Sequence, residues 1–188
     1  MRIAIIDPAA GISGDMTLGA LLSLGLPASW LEELPGRLGI AGVGVTIRDV
    51  RRASVGAKQV EFAIPKQPHG RHVGELVRLV EGAPVSDWVK ERAVRAFRLG
   101  GEAEGTVHGV PPEKVHLHEV GAVDAVLDIV GAIEGFERLG VDAVYHWPVA
   151  VGTGWVEAAH GRLPVPAPAT ALLLEGLEIA TGGPVEGE

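Results

Sequence analysis

Two imidazoles and two carboxylates sit close together in the middle of the chain, at His116, His118, Asp124 and Asp128. Residues two apart on a strand point to one side, so His116 and His118 would face together. Residues four apart on a helix stack on one face, which pairs Asp124 with Asp128. Nitrogen and oxygen donors in that pattern suit a first-row transition metal, and they also suit an acid/base pair. Gly131 and Gly135 prolong the carboxylate face and leave room for another backbone or a flat ligand. Val123, Val126, Val130 and Ile133 form an apolar stripe on the other face. The same residues admit a purely structural reading: ordinary histidines, a helix cap at Asp124, and glycines that let helices pack. Concentration weighs against it. Four of the seven aspartates (Asp7, Asp15, Asp124, Asp128) and three of the seven histidines (His108, His116, His118) fall in this segment or near the N-terminus.

The N-terminal group is Asp7, Ser13, Gly14 and Asp15. A strand is expected to end at Asp7, a glycine-containing loop follows, and a helix begins near Asp15. Ligands bind at such strand-to-helix junctions in open α/β sheets, and helix N-termini favour anions. No lysine follows the glycines, so this is not a Walker A loop. The carboxylates would instead suit a hard divalent ion that in turn holds a phosphate. The structural alternative is that Ser13 and Asp15 cap the helix and Asp7 closes the strand. A third motif, His160 to Thr170, follows the Gly152-Thr153-Gly154 turn. Its prolines at 164, 166 and 168 hold the chain extended and could deliver His160 to a pocket, or simply form a rigid linker.

The elements that must position these groups are legible in part. Arg2–Ile6 reads as a buried strand, and the helix near Asp15 should stop at Gly25. Pro27 opens a short helix that Pro35 and Gly36 are expected to end. Val43–Arg51 and Lys58–Ile64 alternate with period two and read as a hairpin with a moderately long loop over 53–56. Helices are expected over His72–Glu81, Val85–Glu104 and Ala169–Glu175. A strand is expected over Asp142–Val151, bent or placed at an edge by Pro148. The class is α/β, or α+β: a mixed sheet with an N-terminal βα ligand-binding turn, a hairpin, and helices packed on the sheet. One domain is expected over residues 1–188.

Composition excludes several functions. The chain has 188 residues, no cysteine and a formal net charge of −8. Thiolate zinc sites, iron–sulfur clusters, disulfides and cysteine nucleophiles are therefore excluded. The acidic balance argues against nucleic-acid binding. No stretch reads as a signal peptide or membrane span, so a cytoplasmic protein without membrane attachment is expected. Asparagine is absent and arginine outnumbers lysine, which fits a thermophile.

Three motifs in order, Gly11–Met16, His116–Asp124 and His160–Thr170, resemble the N-terminal part of the LarC family, the nickel-insertion proteins of lactate racemase maturation. The resemblance covers nearly the whole chain. It implies a lyase of the nickel chelatase or cyclometallase type. Such a protein inserts nickel into pyridinium-3,5-bisthiocarboxylic acid mononucleotide and uses CTP with a divalent cation (Mg or Mn). It also implies partners: that mononucleotide, a C-terminal CTP-binding domain or chain not contained in residues 1–188, and further copies in a homo-oligomer. On that footing His116, His118, Asp124 and Asp128 would hold or relay nickel. Asp7, Ser13, Gly14 and Asp15 would bind the mononucleotide phosphate, and His118, Glu119 and His160 would serve as catalytic groups. Two other readings of the residues stand beside it: a divalent-metal phosphohydrolase, and a non-catalytic scaffold for a separate CTP-binding chain.

Overall fold

A computed structural model describes residues 1–52, 54–65, 71–117, 122–158 and 161–181. The fold is mixed α/β, as expected, but its strands pair two by two rather than in one broad sheet. Along the chain the elements are β1 (Ile3–Ile6), α1 (Gly14–Ser23), α2 (Ala28–Glu32), α3 (Leu34–Arg37), β2 (Gly44–Arg52), β3 (Val55–Ala63), β4 (Arg71–His72), α4 (Val73–Gly82) and α5 (Asp87–His108). They continue with β5 (His116–Leu117), α6 (Val123–Arg138), β6 (Ala143–His146), β7 (Val149–Ala150), β8 (Trp155–Ala158), β9 (Gly161–Pro164), α7 (Pro168–Leu173) and β10 (Ile179–Ala180). Two compact units result, one from residues 1–12, 99–115 and 141–188, the other from 13–98 and 116–140.

The unit holding residues 13–98 and 116–140 is built around α1. Its helix starts after Ser13 and stops where Gly25 takes a φ of 105°, a conformation that glycine adopts without steric cost. One side of α1 meets the β2–β3 hairpin. There Gly19 lies so close to the Lys58 carbonyl that an added Cβ would sit 2.3 Å from its oxygen. The other side meets α6: Gly14 lies against Asp128, Leu18 against Gly131, and Leu21 against Gly135. Contacts that advance together in both helices mean that α1 and α6 run parallel and begin at the same end. The glycine stripe foreseen on α6 therefore accommodates the leucines of a neighbouring helix.

The hairpin keeps continuous register from Gly44–Ala63 to Arg52–Val55, so Val55 and Gly56, expected in the loop, belong to β3. Ser54, just before β3, takes a φ of 72°. Pro35 and Gly36 do not end a helix. They lie inside α3, because proline is tolerated in a first turn where no intrahelical N–H bond is lost. Glu134 of α6, 5% exposed, ties the short helices down. It accepts from Arg37 at 2.7 Å through both oxygens, from the Trp30 indole at 3.1 Å, and from Arg138 at 3.0 Å. Ser86 caps α5, accepting from Val89 N–H at 3.1 Å while its hydroxyl donates to Glu137 at 2.6 Å.

In the other unit β1 pairs in parallel with β6, and β7 in parallel with β10. The expected single strand over 142–151 is divided at Trp147-Pro148, where proline removes a ladder donor. The β1 strand is not buried, contrary to its apolar composition: Ile3 and Ile5 are 46% and 60% exposed. The cause is the sheet itself, which has only β6 beside β1 among the described residues. Among the described residues, no helix is long and apolar enough to cross a membrane.

Candidate functional site

The shared start of α1 and α6 gathers three of the predicted carboxylates. Asp15 lies in the first turn of α1, Asp124 in the first turn of α6 and Asp128 one turn further on. A carboxylate near a helix N-terminus is stabilised by the unpaired N–H groups there. Asp124 uses this locally, its Oδ1 accepting from Ala125 N–H at 2.9 Å, while the N-cap position belongs to Ala122 rather than to Asp124. The Ser13 side chain does not cap α1; its hydroxyl donates to Asp15.

Asp128 is the unusual member. It lies against the Cα of Gly14, and its buried Oδ1 has no hydrogen-bond partner among the described residues. Burial, then the negative charges of Asp15 and Asp124, push its carboxyl up to about 7. A buried acceptor without a donor costs free energy, and a proton or a cation would relieve it. The α1–α6 geometry explains the position. A side chain at residue 14 would occupy the space of the Asp128 carboxylate, so Gly14 is required for the acid to sit there.

Chemically, this end of the two helices attracts cations. A bare phosphate would meet three carboxylates, so an anionic ligand could bind only after a cation had neutralised them. Among the described residues, no three His, Asp or Glu side chains converge closely enough to hold a metal ion on their own. Oxygen donors of this kind suit a hard divalent ion, with the rest of its coordination supplied by water or by a substrate.

His116 pairs with His72 across the β4–β5 ladder, the rings edge to face with centroids 5.0 Å apart. His72 also caps α4. Its ring accepts from the Glu75 N–H, and the Glu75 carboxylate accepts from its backbone N–H at 3.0 Å. An imidazole that accepts through one nitrogen carries its proton on the other and is a hydrogen-bond donor there. His108 lies 3.3 Å from Glu104 on α5. Asp7 is exposed at the end of β1, in the unit that does not contain Asp15. His118, Glu119 and His160 lie outside the described residues.

Two features were missed in the sequence. One is the Glu134 clamp, signalled only by a charged residue between Gly131 and Gly135. The other is an open cleft lined by Ser23, Asp49, Arg51 and Lys58 beside the hairpin. It shares no residue with the carboxylate group, and its lysine is paired with Asp49 at 2.7 Å.

A family model described as nickel insertion protein matches residues 4–188. The chain belongs to the nickel insertion protein family. Curated relatives carry the words nickel insertion protein in their names. The one from Geotalea daltonii is 46% identical over 182 residues, covering 95% of this chain and 46% of its own length. The one from Thermomicrobium roseum is 46% identical over 175 residues, covering 93% and 43%. The one from Geobacter sulfurreducens is 42% identical over 190 residues, covering 100% and 47%. The chain thus spans about half the length of the nickel insertion relatives it matches. No solved structure matches it.

Proposed function

We propose that this chain is the part of a nickel insertion protein that receives the metal and presents it to a sulfur-bearing pyridinium mononucleotide. The product would be the nickel-pincer cofactor of lactate racemase, formed with CTP and Mg or Mn in the full-length relatives. The carrying observation is Asp128, a half-buried carboxyl whose buried Oδ1 is orphaned among the described residues, with Asp15 and Asp124 near it where two helices begin. In this reading Asp124 and Asp128 offer oxygen to incoming nickel, and His116 and His118 offer nitrogen. These are donors of intermediate hardness, able to surrender the ion to softer thiocarboxylate sulfur.

The remaining roles follow from charge and proton balance. Closing a metal–carbon bond on the pyridinium ring releases the ring proton, so a base must take it; His118, Glu119 and His160 are assigned to that role. Asp7, Ser13, Gly14 and Asp15 would hold the mononucleotide phosphate through a divalent cation, since the local charge rejects a bare anion. CTP binding is assigned to the portion of the relatives that this chain does not match, and the working assembly is a homo-oligomer in the cytoplasm.

Isothermal titration with nickel tests the reading. Wild type should bind more tightly as pH rises through about 7, where Asp128 loses its proton. Asp128→Asn should bind at least roughly tenfold more weakly and lose that pH dependence. Equal affinity in both proteins across the pH range removes the aspartate from nickel handling. A His116→Ala/His118→Ala double variant asks the same of the imidazoles.

A further inference from the structure

The unit made of residues 1–12, 99–115 and 141–188 lacks an interior of its own. Among the described residues, its buried apolar side chains are Pro8, Ala103 and Val115, while the large fully buried side chains all belong to the other unit. Its β1–β6 pair is parallel, an arrangement that is stable in proteins when both faces are covered. Among the described residues, the face carrying Ile3, Ile5 and Tyr145 is open here. Register places Ile3, Ile5, Ala143 and Tyr145 on one side, and Ile3, Ile5 and Tyr145 are 46%, 60% and 56% exposed. On the opposite side Val144 is 48% exposed, while Ala4 and Ile6 are half-buried; Trp147, just beyond β6, is 60% exposed. The outer edge of β1 has no partner strand among the described residues. A two-stranded apolar ladder of this kind is marginal in water and invites an added strand.

We infer that the β1 edge and the Ile3–Ile5–Tyr145 face are the docking surface for the half of a nickel insertion protein that this chain does not match, whether joined to it or supplied as a separate polypeptide. Relatives at 42–46% identity carry more than half their length outside the matched segment, so a partner of sufficient size accompanies this unit in each of them. β10, the last described strand, pairs with β7, which follows directly on β6 in the same unit. A second copy fits less well. Two copies meeting through this edge would pair one four-residue strand with another, whereas the unmatched half is more than half of each relative's length and is not limited to that contact. The occupant would lay a strand along β1 and cover the isoleucines with apolar side chains.

The test mixes the full 188-residue chain with the unmatched half of the Geotalea daltonii relative, produced as a separate polypeptide. Sedimentation velocity should show a one-to-one complex, and hydrogen exchange should slow in residues 3–6 and 143–146. Ile5→Asp and Tyr145→Asp should weaken the complex by at least roughly tenfold, while Ile5→Val and Leu24→Asp should leave it intact. The exchange footprint on the wild-type chain stands even if an aspartate variant misfolds. Three results would overturn the inference: no complex at about 100 µM, a complex that ignores both aspartate variants and leaves β1 exchange unchanged, or self-association of this chain alone that Ile5→Asp abolishes. Nickel affinity measured on the same proteins is independent of all three, so the docking surface and the metal reading can fail separately.

Discussion

Asp128 and Glu134 lie six residues apart on one helix and are treated oppositely by their surroundings. Burial and two neighbouring acids raise Asp128 to about 7. Burial also pushes Glu134 up, but hydrogen bonds from Arg37 and Arg138, the Arg37 charge and the Trp30 indole outweigh it and hold the carboxyl below its ordinary value. The consequences for stability have opposite sign. With a raised pKa in the fold, Asp128 favours the folded state while protonated; that contribution is complete below its unfolded pKa and is lost as pH rises through about 7. Asparagine imitates the protonated form. Asp128→Asn should therefore match wild type near pH 4 and exceed it by about 1–2 kcal/mol near pH 8, discounted because the side chain is partly exposed. Urea unfolding at both pH values checks this, and parallel pH profiles would contradict it. Glu134 contributes stability above its unfolded pKa that disappears on acidification. Glu134→Ala should cost about 3–5 kcal/mol at neutral pH, because Arg37 and the Trp30 indole lose their acceptor. Asp124 and Asp128 were readable as a pair from their spacing. The Arg37 partner, 97 residues away from Glu134, was not, since nothing local encodes so distant a contact.

At the scale of elements, spacing and turn chemistry located the hairpin, α1, α4 and α5 close to their observed places. What they left open was which neighbour each face would meet. Gly131 and Gly135 were legible as a small-residue stripe, but whether helix or ligand filled it depended on α1, more than a hundred positions earlier. The misreading of β1 as buried has the same origin: an apolar run states what would bury well, and the cover must come from elsewhere. Two glycines make the point measurable. In Gly19→Ala the new methyl would collide with the Lys58 backbone carbonyl, which cannot move without shifting β3. The variant should lose about 1–3 kcal/mol in thermal or urea unfolding. Gly36 lies in α3 with open space around the same position. Gly36→Ala should instead gain about 0.4–1 kcal/mol by restricting the unfolded chain. If both substitutions destabilise equally, close approach of α1 to the hairpin is not what Gly19 provides.

For the whole molecule, the uneven distribution of core has a dynamic consequence. Leucines of α1, α2 and α3, Leu76, Val80, Val89, Phe97, and Leu127 with Val126 and Val130 are fully or almost fully buried, and all belong to the unit that carries the carboxylate group. Three acids gathered at one end of two helices need such a frame, because their charge repulsion would otherwise be relieved by opening the helices. The other unit has a parallel two-stranded ladder with exposed isoleucines and little beneath it. Opening free energy follows local apolar burial, so the two units should differ in native-state hydrogen exchange of the isolated chain. Amides of α1 and α6 are expected to exchange at least about a hundredfold more slowly than those of β1 and β6. Mass spectrometry of peptides spanning residues 14–23, 123–138, 3–6 and 143–146 reads this directly. Uniform protection would mean that the ladder shares the global unfolding transition and draws its stability from something other than buried apolar area. The expected gradient would mean that rigidity beneath the carboxylates and openness of the ladder are separate properties of one short chain.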